Sequence, residues 1–323
     1  MRSAPNRRTV LLGAAALLPA WGRAQNFPSK PIRIVVPFGA GGIADLTARA
    51  LAQKLGENLR QSVVVDNKPG AGGVVAGDLV AKSEPDGHVL LLMSNGTAVS
   101  AGLFQSLPFD AQKDFAPVAA IGTFDIAVLA AADGRFKSMK DLLAHAKANP
   151  GRLNVATINV GSSQHLSAEL LKTSAGVDFQ VVPFNGSPAV LTALRGGQVD
   201  AAVEILGPML PQIASRAVLP LAVMGTRRAA ALPEVPTVAQ SGVPGFDVSS
   251  WNALAAPART PPAVIALLNR EVNKAIEDAA LRKQLDALNV TPRGGTPEQL
   301  RDLLAAETRR WADVIVRAKV PRQ

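Results

Sequence analysis

Two glycine-rich turns follow the first two strand-like segments of the chain and could hold an anion. PFGAGGIAD spans residues 37–45, and NKPGAGGVVAG spans residues 67–77. Unpaired amides at the positive end of a helix dipole bind anions, and both turns run from a predicted strand into a predicted helix. Three further small-residue loops precede predicted helices, at residues 94–100, 157–166 and 184–190. A tight turn could explain any one loop, but five together predict a cleft lined by amides and small hydroxyls.

Side chains typical of catalysis are scarce. Ser162 or Ser163 could be a nucleophile with His165 as its base. Side chains two or three residues apart at a helix start rarely align for proton transfer, however, and GxSxG is absent. The phosphate-loop pattern GxxxxGK[ST] is absent as well. We therefore expect no enzymatic activity.

A dinucleotide-binding interpretation is harder to dismiss. Gly39, Gly41 and Ala44 satisfy GxGxxA after a strand, and Asp66 ends the next strand, where a ribose-binding acid would lie. Two features oppose it, because a second glycine loop follows four residues later and exported proteins seldom have access to NAD. An exported nicotinamide-dependent oxidoreductase remains the alternative, and we otherwise expect no cofactor.

Other polar residues near the loops allow two interpretations each. His165 and Glu169 have the spacing to share a metal ion, but a third ligand is not apparent, so we expect no metal site. Asp45 lies at a helix start, where a cap or dipole partner is more common than a catalytic acid. Glu204 ends a strand-like segment, and it could either reach the cleft or be a solvated carboxylate.

The elements that position these loops alternate between strand and helix. This order favours βαβ units and a parallel sheet, with a second series that begins at Asp125. Residues 227–262 form a loop-rich segment, and two amphipathic helices end the chain, the last starting at the capping box 296–299. Ser187-Pro188 is interpreted as a helix start without function. We predict two α/β lobes with a ligand at the carboxyl ends of the strands.

The first 25 residues predict export. Basic residues precede an apolar run at 10–20, and small residues follow, which is typical of a secretory signal cleaved after Ala24. Arg7-Arg8 leaves a twin-arginine route open. No later segment is apolar enough to span a membrane. Removal of the signal lowers the formal net charge from +9 to about +5, without the basic clusters of a nucleic-acid-binding protein.

Five motifs together resemble those of the Bug-type extracytoplasmic solute receptors, the binding subunits of tripartite tricarboxylate transporters. They are PFGAGGIAD, NKPGAGGVVAG, TINVGSSQHL, VPFNGSPAVLTALRGGQVD and LPEVPTVAQSGVPGFDVSSWNALAAPA. The resemblance implies a type II periplasmic-binding-protein fold whose two α/β lobes enclose a small carboxylate, without catalysis. It also implies membrane permease subunits as partners. We place lobe 1 at residues 25–124 and 228–323, and lobe 2 at residues 125–227.

The resemblance further implies which residues surround the ligand. By position these are Phe38, Gly41, Gly42, Asp45, Gly72, Gly73, Ser94, Asn95, Gly96, Asn159, Gly161, Ser162, Ser163 and His165, to which we add Phe184 and Glu204. Three positions depart from the family pattern. Ala40 replaces a common proline, Phe184-Asn185 replaces a frequent Tyr-Lys pair, and Glu204 replaces an aspartate. The far end of the ligand is therefore expected to be less acidic, smaller or more apolar.

The leading hypothesis is a receptor that closes over a carboxylate and presents it to a permease. Besides the oxidoreductase, a ligand-loaded periplasmic sensor that docks on a signalling receptor would use the same cleft.

Overall fold

A computed structural model describes residues 27–323. The predicted signal segment, with Arg7-Arg8 and the cleavage position at Ala24, lies outside the described residues. Among residues 27–323, no helix combines the length and apolar character needed to cross a bilayer.

Ten strands in this part of the chain form one mixed sheet. They are β1 (Ile32–Val36), β2 (Val63–Asn67), β3 (Val89–Ser94), β4 (Phe115–Ala131), β5 (Asn154–Ile158), β6 (Gln180–Phe184), β7 (Ala201–Ile205), β8 (Val218–Val223), β9 (Ser249–Pro257) and β10 (Val290–Gly294). Their order is β2-β1-β3-β9-β4-β7-β5-β6, and β8 and β10 also pair with β4.

The long strand β4 joins the two halves of the sheet. Residues 115–125 of β4 run antiparallel to β9, whereas residues 126–131 pair with β7 and β8. We call β1, β2, β3, β9 and β10 with their helices lobe 1, and β5, β6, β7 and β8 with theirs lobe 2. The chain crosses again between β8 and β9, where Met224 N donates to Ile126 O over 2.8 Å and Val248 N donates to Met224 O over 2.8 Å.

The helices pack against the strands of the sheet. They are α1 (Ile43–Leu59), α2 (Val74–Ala81), α3 (Asn95–Leu103), α4 (Met139–Ala148), α5 (Ser163–Ala175), α6 (Ser187–Arg195), α7 (Leu206–Ala214), α8 (Pro262–Glu277), α9 (Ala279–Ala287) and α10 (Pro297–Arg317). The predicted capping box at the start of α10 is confirmed. Thr296 Oγ1 accepts from Gln299 N over 3.3 Å, and Gln299 Oε1 accepts from Thr296 N over 2.9 Å.

The α/β class and the two lobes are as predicted, but three details differ. The sheet is mixed rather than parallel, because β9 runs antiparallel to β3 and β4. The segment predicted to be loop-rich, residues 227–262, contains β9. Three helices and β10 end the chain, instead of two helices, because Asp278 ends α8 and caps α9 through bonds from Ala280 N and Leu281 N.

Helix α10 is held on lobe 1 by a buried tryptophan. Trp311 has no exposed surface, and its Nε1 donates to Asn95 Oδ1 over 2.7 Å and to Glu307 Oε2 over 2.9 Å. Asn95 is the first residue of α3, so this bond joins α10 to the start of α3. By contrast, the buried Nε1 of Trp251 in β9 has no acceptor among the described residues.

Trp311→Phe should therefore destabilise the protein more than Trp251→Phe. Both changes remove the same ring volume from a buried site, but only the first leaves a buried amide oxygen without its donor. The expected difference in the free energy of unfolding is about 1–3 kcal/mol. Urea unfolding of both variants measures it, and equal losses would contradict a stabilising role for the bond to Asn95.

Candidate functional site

A small cavity lies between the lobes, where four helices begin. Its volume is about 30 Å³. The lining residues are Phe38, Gly42, Ile43, Ala44, Phe124, Ile158, Gln164, Ser187, Ile205 and Ser250. Lobe 1 contributes the start of α1, lobe 2 contributes the starts of α5, α6 and α7, and the crossing strands β4 and β9 contribute Phe124 and Ser250.

Most of these helix starts lack a side-chain cap. The N-cap residues Gly42 of α1, Gly186 of α6 and Ile205 of α7 accept no bond from the helix through a side chain. Within residues 27–323, the amides of Gly42, Ile43 and Ala44 donate to no protein acceptor. Orphan amides at a helix N-terminus carry partial positive charge, so the start of α1 offers the cavity a set of anion-binding donors.

Asp45 fixes the shape of the first glycine loop. Its Oδ2 accepts from Gly41 N over 3.0 Å, and its Oδ1 lies 2.9 Å from Arg49 Nη2. Burial acts to raise the pKa of Asp45, but the bonds from Arg49 and Gly41 outweigh it and hold the pKa below its usual value. Asn67 Nδ2 braces the same loop by donating to Phe38 O over 2.9 Å. One oxygen of Asp45 thus holds the loop, and the other pairs with Arg49 on α1.

Glu204 lies directly behind the cavity wall. Its side chain has no exposed surface, and its Oε2 accepts from Gln164 Nε2, Ser187 Oγ and Ile205 N, each over 3.1 Å. Its Oε1 has no partner among the described residues. Burial raises the pKa of Glu204 to about 7, against the smaller opposite effect of its three donors. The structure thus rules out the solvated carboxylate, and Glu204 reaches the cavity only through the lining residues that it bonds.

The second glycine loop forms a separate contact between the lobes. A Cβ placed on Gly72 would lie 2.7 Å from Val160 O and 3.2 Å from Gly161 Cα, so only glycine fits at this approach. One placed on Gly96 would lie 3.3 Å from Gly72 O and 3.4 Å from Gly161 O. Gly73 is the N-cap of α2. The loops before α2 and α5 and the first turn of α3 therefore meet through their backbones.

The predicted serines at these helix starts act as caps. Ser94 Oγ accepts from Gly96 N over 3.1 Å, and Ser162 Oγ accepts from His165 N over 3.1 Å. Ser163 Oγ lies 2.7 Å from Ser250 Oγ, which joins α5 of lobe 2 to strand β9. The first-turn amides of α3 and α5 are thus partly paired, whereas those of α1 are not.

Three other predicted residues keep an unpaired polar atom in this region. Asn95 Nδ2, Asn159 Oδ1 and His165 Nδ1 are buried without a partner among the described residues. Burial lowers the pKa of His165, with a smaller opposing effect of Glu169. A buried polar atom without a partner is costly, so these atoms are candidates to bond a ligand or its waters.

The structure therefore distributes the predicted site residues over two neighbouring places. Phe38 and Gly42 line the cavity, and Glu204 lies behind it. Phe184 packs in the same apolar cluster of lobe 2, which Phe38 also contacts. The predicted residues from Gly72 to Gly96 and from Asn159 to His165 belong to the second glycine-loop contact or to the helix starts beside it.

Four lining residues at informative positions were not among the predicted site residues. Gln164 lies inside the motif TINVGSSQHL, two residues after the cap Ser162, and Ser187 follows Gly186 at a helix start interpreted as structural only. Phe124 and Ser250 come from β4 and β9, and the parts of the chain that contain them were not predicted as strands, although Ser250 lies inside the last of the five motifs.

The side chains that the enzymatic alternatives would use have other partners in the described residues, or none. No bond joins the ring of His165 to either Ser162 or Ser163 in the described part of the chain. Asp66 pairs with Lys68 over 3.2 Å and with Arg33 over 3.5 Å. Across residues 27–323, no group of three or more acidic or histidine side chains could hold a metal ion.

Glu204 should make stability fall as pH rises. The carboxyl has an ordinary pKa of 4.5 when unfolded and about 7 when folded. Between these values the folded state binds the extra proton, so raising the pH favours unfolding, by up to about 3 kcal/mol above pH 7. Glu204→Gln removes this titration. Urea unfolding at pH 5 and pH 8 should show a smaller loss for Glu204→Gln than for the wild type.

Glu84→Gln is the matched control, because Glu84 is exposed in the turn before β3. The same loss of stability in the wild type and in Glu204→Gln would contradict the elevated pKa.

Comparison with known proteins places the chain in a family. The family model described as "Tripartite tricarboxylate transporter family receptor" matches residues 47–320. The chain is 37% identical to Protein BugT of Bordetella pertussis, over 90% of each chain.

Two solved structures from Rhodopseudomonas palustris are similar as well. Rpa4515 with adipate is 32% identical, covers 91% of this chain and 98% of its own, and has a TM-score of 0.87. MatC with bound malate is 33% identical, covers 90% of this chain and 100% of its own, and has a TM-score of 0.85. The predicted family and the two-lobe type II periplasmic-binding-protein fold are confirmed: the chain belongs to the receptors of the tripartite tricarboxylate transporter family.

Proposed function

We propose that the protein binds a small carboxylate between its lobes and delivers it to the permease subunits of a tripartite tricarboxylate-type transporter. The observation that carries this proposal is the set of unpaired amides at the start of α1, which faces the cavity between the lobes. The bound adipate and malate of the similar structures support a carboxylate as the ligand.

Main-chain donors can supply the affinity without a basic side chain. A helix N-terminus contributes up to about 2 kcal/mol in partly buried geometry, and each hydrogen bond to a charged group contributes about 1.5–3 kcal/mol. Three such bonds, less the cost of association, are compatible with the roughly 8 kcal/mol of micromolar binding.

We assign different roles to the cavity at the start of α1 and to the second glycine-loop contact. The start of α1, with Phe38, Gly41 and Gly42, holds the carboxylate, while Asp45 keeps the loop in shape. The contact of Gly72 with Gly96, Val160 and Gly161 closes the lobes over the ligand, and Gly73 begins α2 beside this contact. Phe184 and Glu204 shape the lobe 2 side of the cleft.

Cleavage near Ala24 would release the protein into the periplasm, where it acts as a receptor and not as an enzyme.

We propose lobe boundaries at residues 125 and 228. The change of β4 partners between Asp125 and Ile126 supports the first boundary, and the return crossing after Met224 supports the second.

Thermal unfolding with a panel of anions tests the proposed function. The panel contains mono-, di- and tricarboxylates, amino acids and aromatic acids, with sulfate as a non-carboxylate control. We expect at least one carboxylate to raise the melting temperature by several degrees at millimolar concentration, because ligand binding stabilises the folded state. The absence of any stabilisation across the panel would contradict a carboxylate receptor.

Gly72→Ala should weaken binding without unfolding the protein. The added methyl group would clash with Val160 O and keep the lobes apart. Gly176→Ala is the matched control, because Gly176 has the same φ of 61° but no atom within 4 Å of the added Cβ.

Both substitutions should cost about 1 kcal/mol of stability through the strained φ. Only Gly72→Ala should weaken carboxylate affinity, by tenfold or more in calorimetric titration. Equal affinities of the two variants would place the closing contact elsewhere.

A further inference from the structure

Unpaired amides from both lobes line the cavity. The amides of Gly42, Ile43 and Ala44 begin α1 without a protein acceptor. Those of Gln164 and Ser187, at the starts of α5 and α6, have no acceptor among the described residues either. A carboxylate in the cavity would therefore lie among the positive ends of helices from both lobes.

The carboxyl of Glu204 lies one layer of side chains behind these amides. Ser187 Oγ donates to Glu204 Oε2 over 3.1 Å, and a Cβ placed on Gly42 would lie 3.7 Å from the same Ser187 Oγ. Gln164, another lining residue, donates to Glu204 Oε2 through Nε2 over 3.1 Å. An anion at the start of α1 would thus share one water-poor site with Glu204.

The bonds of Glu204 leave room for a proton. All three donors, Gln164 Nε2, Ser187 Oγ and Ile205 N, bond Oε2, while Oε1 is buried without a partner among the described residues. A protonated carboxyl keeps its remaining acceptor capacity. A proton on Oε1 therefore breaks none of these bonds.

The elements packed against β7 bring no counter-charge to Glu204. Their charged and titratable residues are Asp125 on β4, His165, Glu169 and Lys172 on α5, and Arg195 on α6, whereas β5 and α7 have none. Across the cavity, Asp45 and Arg49 of α1 pair with each other. Burial and three neutral donors set the pKa of Glu204, and no charged group contributes to it.

We propose that the protein takes up a proton on Glu204 when it binds a carboxylate, so that the anion and the proton bind together. This inference rests on the proposed function. The proton comes from solvent and attaches to Oε1. A like charge nearby disfavours the ionised form of a carboxyl, so the bound anion raises the pKa of Glu204. Because coupling is reciprocal, the protonated protein binds the anion more tightly.

This coupling makes carboxylate affinity depend on pH in a definite direction. Glu204 has a pKa of about 7 in the free protein, and the bound anion raises it further. Affinity is therefore highest below pH 7, where both states are protonated, and it falls as the pH rises through the two pKa values.

Calorimetric titration of the wild-type protein tests the proton uptake. The probe is the carboxylate of the thermal panel that stabilises the protein most, with its own protonation subtracted. Titrations at pH 7.5 in HEPES and in Tris, which differ in ionisation enthalpy, count the protons bound. A coupling of about tenfold predicts uptake of about half a proton at pH 7.5, and about sevenfold tighter binding at pH 6 than at pH 8.5.

Glu204→Gln assigns the proton to its site. This variant should bind the probe without proton uptake and with one affinity at pH 6 and pH 8.5. At pH 8.5 it should bind more tightly than the wild type, whereas Glu84→Gln should keep the wild-type uptake. Uptake that persists in Glu204→Gln and disappears in His165→Gln would assign the proton to His165 and overturn the proposal.

The proton coupling and the receptor function fail differently. A wild-type protein that binds the probe without proton uptake, and equally at pH 6 and pH 8.5, overturns the coupling and leaves the receptor function standing. This result needs no variant, so it holds even where Glu204→Gln does not fold. A protein that is stabilised by no carboxylate in the thermal panel overturns both.

Discussion

The unpaired amides in the first turn of α1 set the main constraint on this structure. A buried amide without an acceptor costs free energy, and such a site persists only where the surrounding fold holds it in place. Here the bonds of Asp45 and Asn67 fix the glycine loop, and three helices of lobe 2 begin on the opposite side of the same cavity. The architecture thus concentrates positive helix ends at one point without using a lysine or arginine.

Two kinds of anion compete for that positive potential. Glu204 takes the hydroxyl of Ser187 at the start of α6 and the amide of Ile205 before α7, and the amides of α1 remain for an external carboxylate. The protein therefore supplies one of the negative charges itself. In the proposed function the backbone of lobe 1 recognises the carboxylate, and lobe 2 side chains of the cavity wall hold Glu204.

The sequence predicted the alternating elements, both glycine loops and the family, because strand–glycine–helix junctions are local patterns. It did not predict β9, since SSWNALAAPA has few β-branched residues and lies in a segment dense in proline and glycine, and its pairing partners are distant in the chain. Ser250 was missed for the same reason, and Phe124 was missed because the part of β4 before Asp125 was not predicted as a strand. Gln164 was missed because its bond to Glu204 joins residues 40 positions apart. The burial of Glu204 likewise depends on packing that no local pattern encodes.

Strand β4 couples the unfolding of one lobe to that of the other. Its first part belongs to the sheet of lobe 1 and its last part to that of lobe 2, and one apolar core contains side chains from both. Neither lobe can lose its structure without stripping a strand from the other. A guest held in the cleft should therefore protect the entire folded chain from proteases, including loops far from the contact it makes.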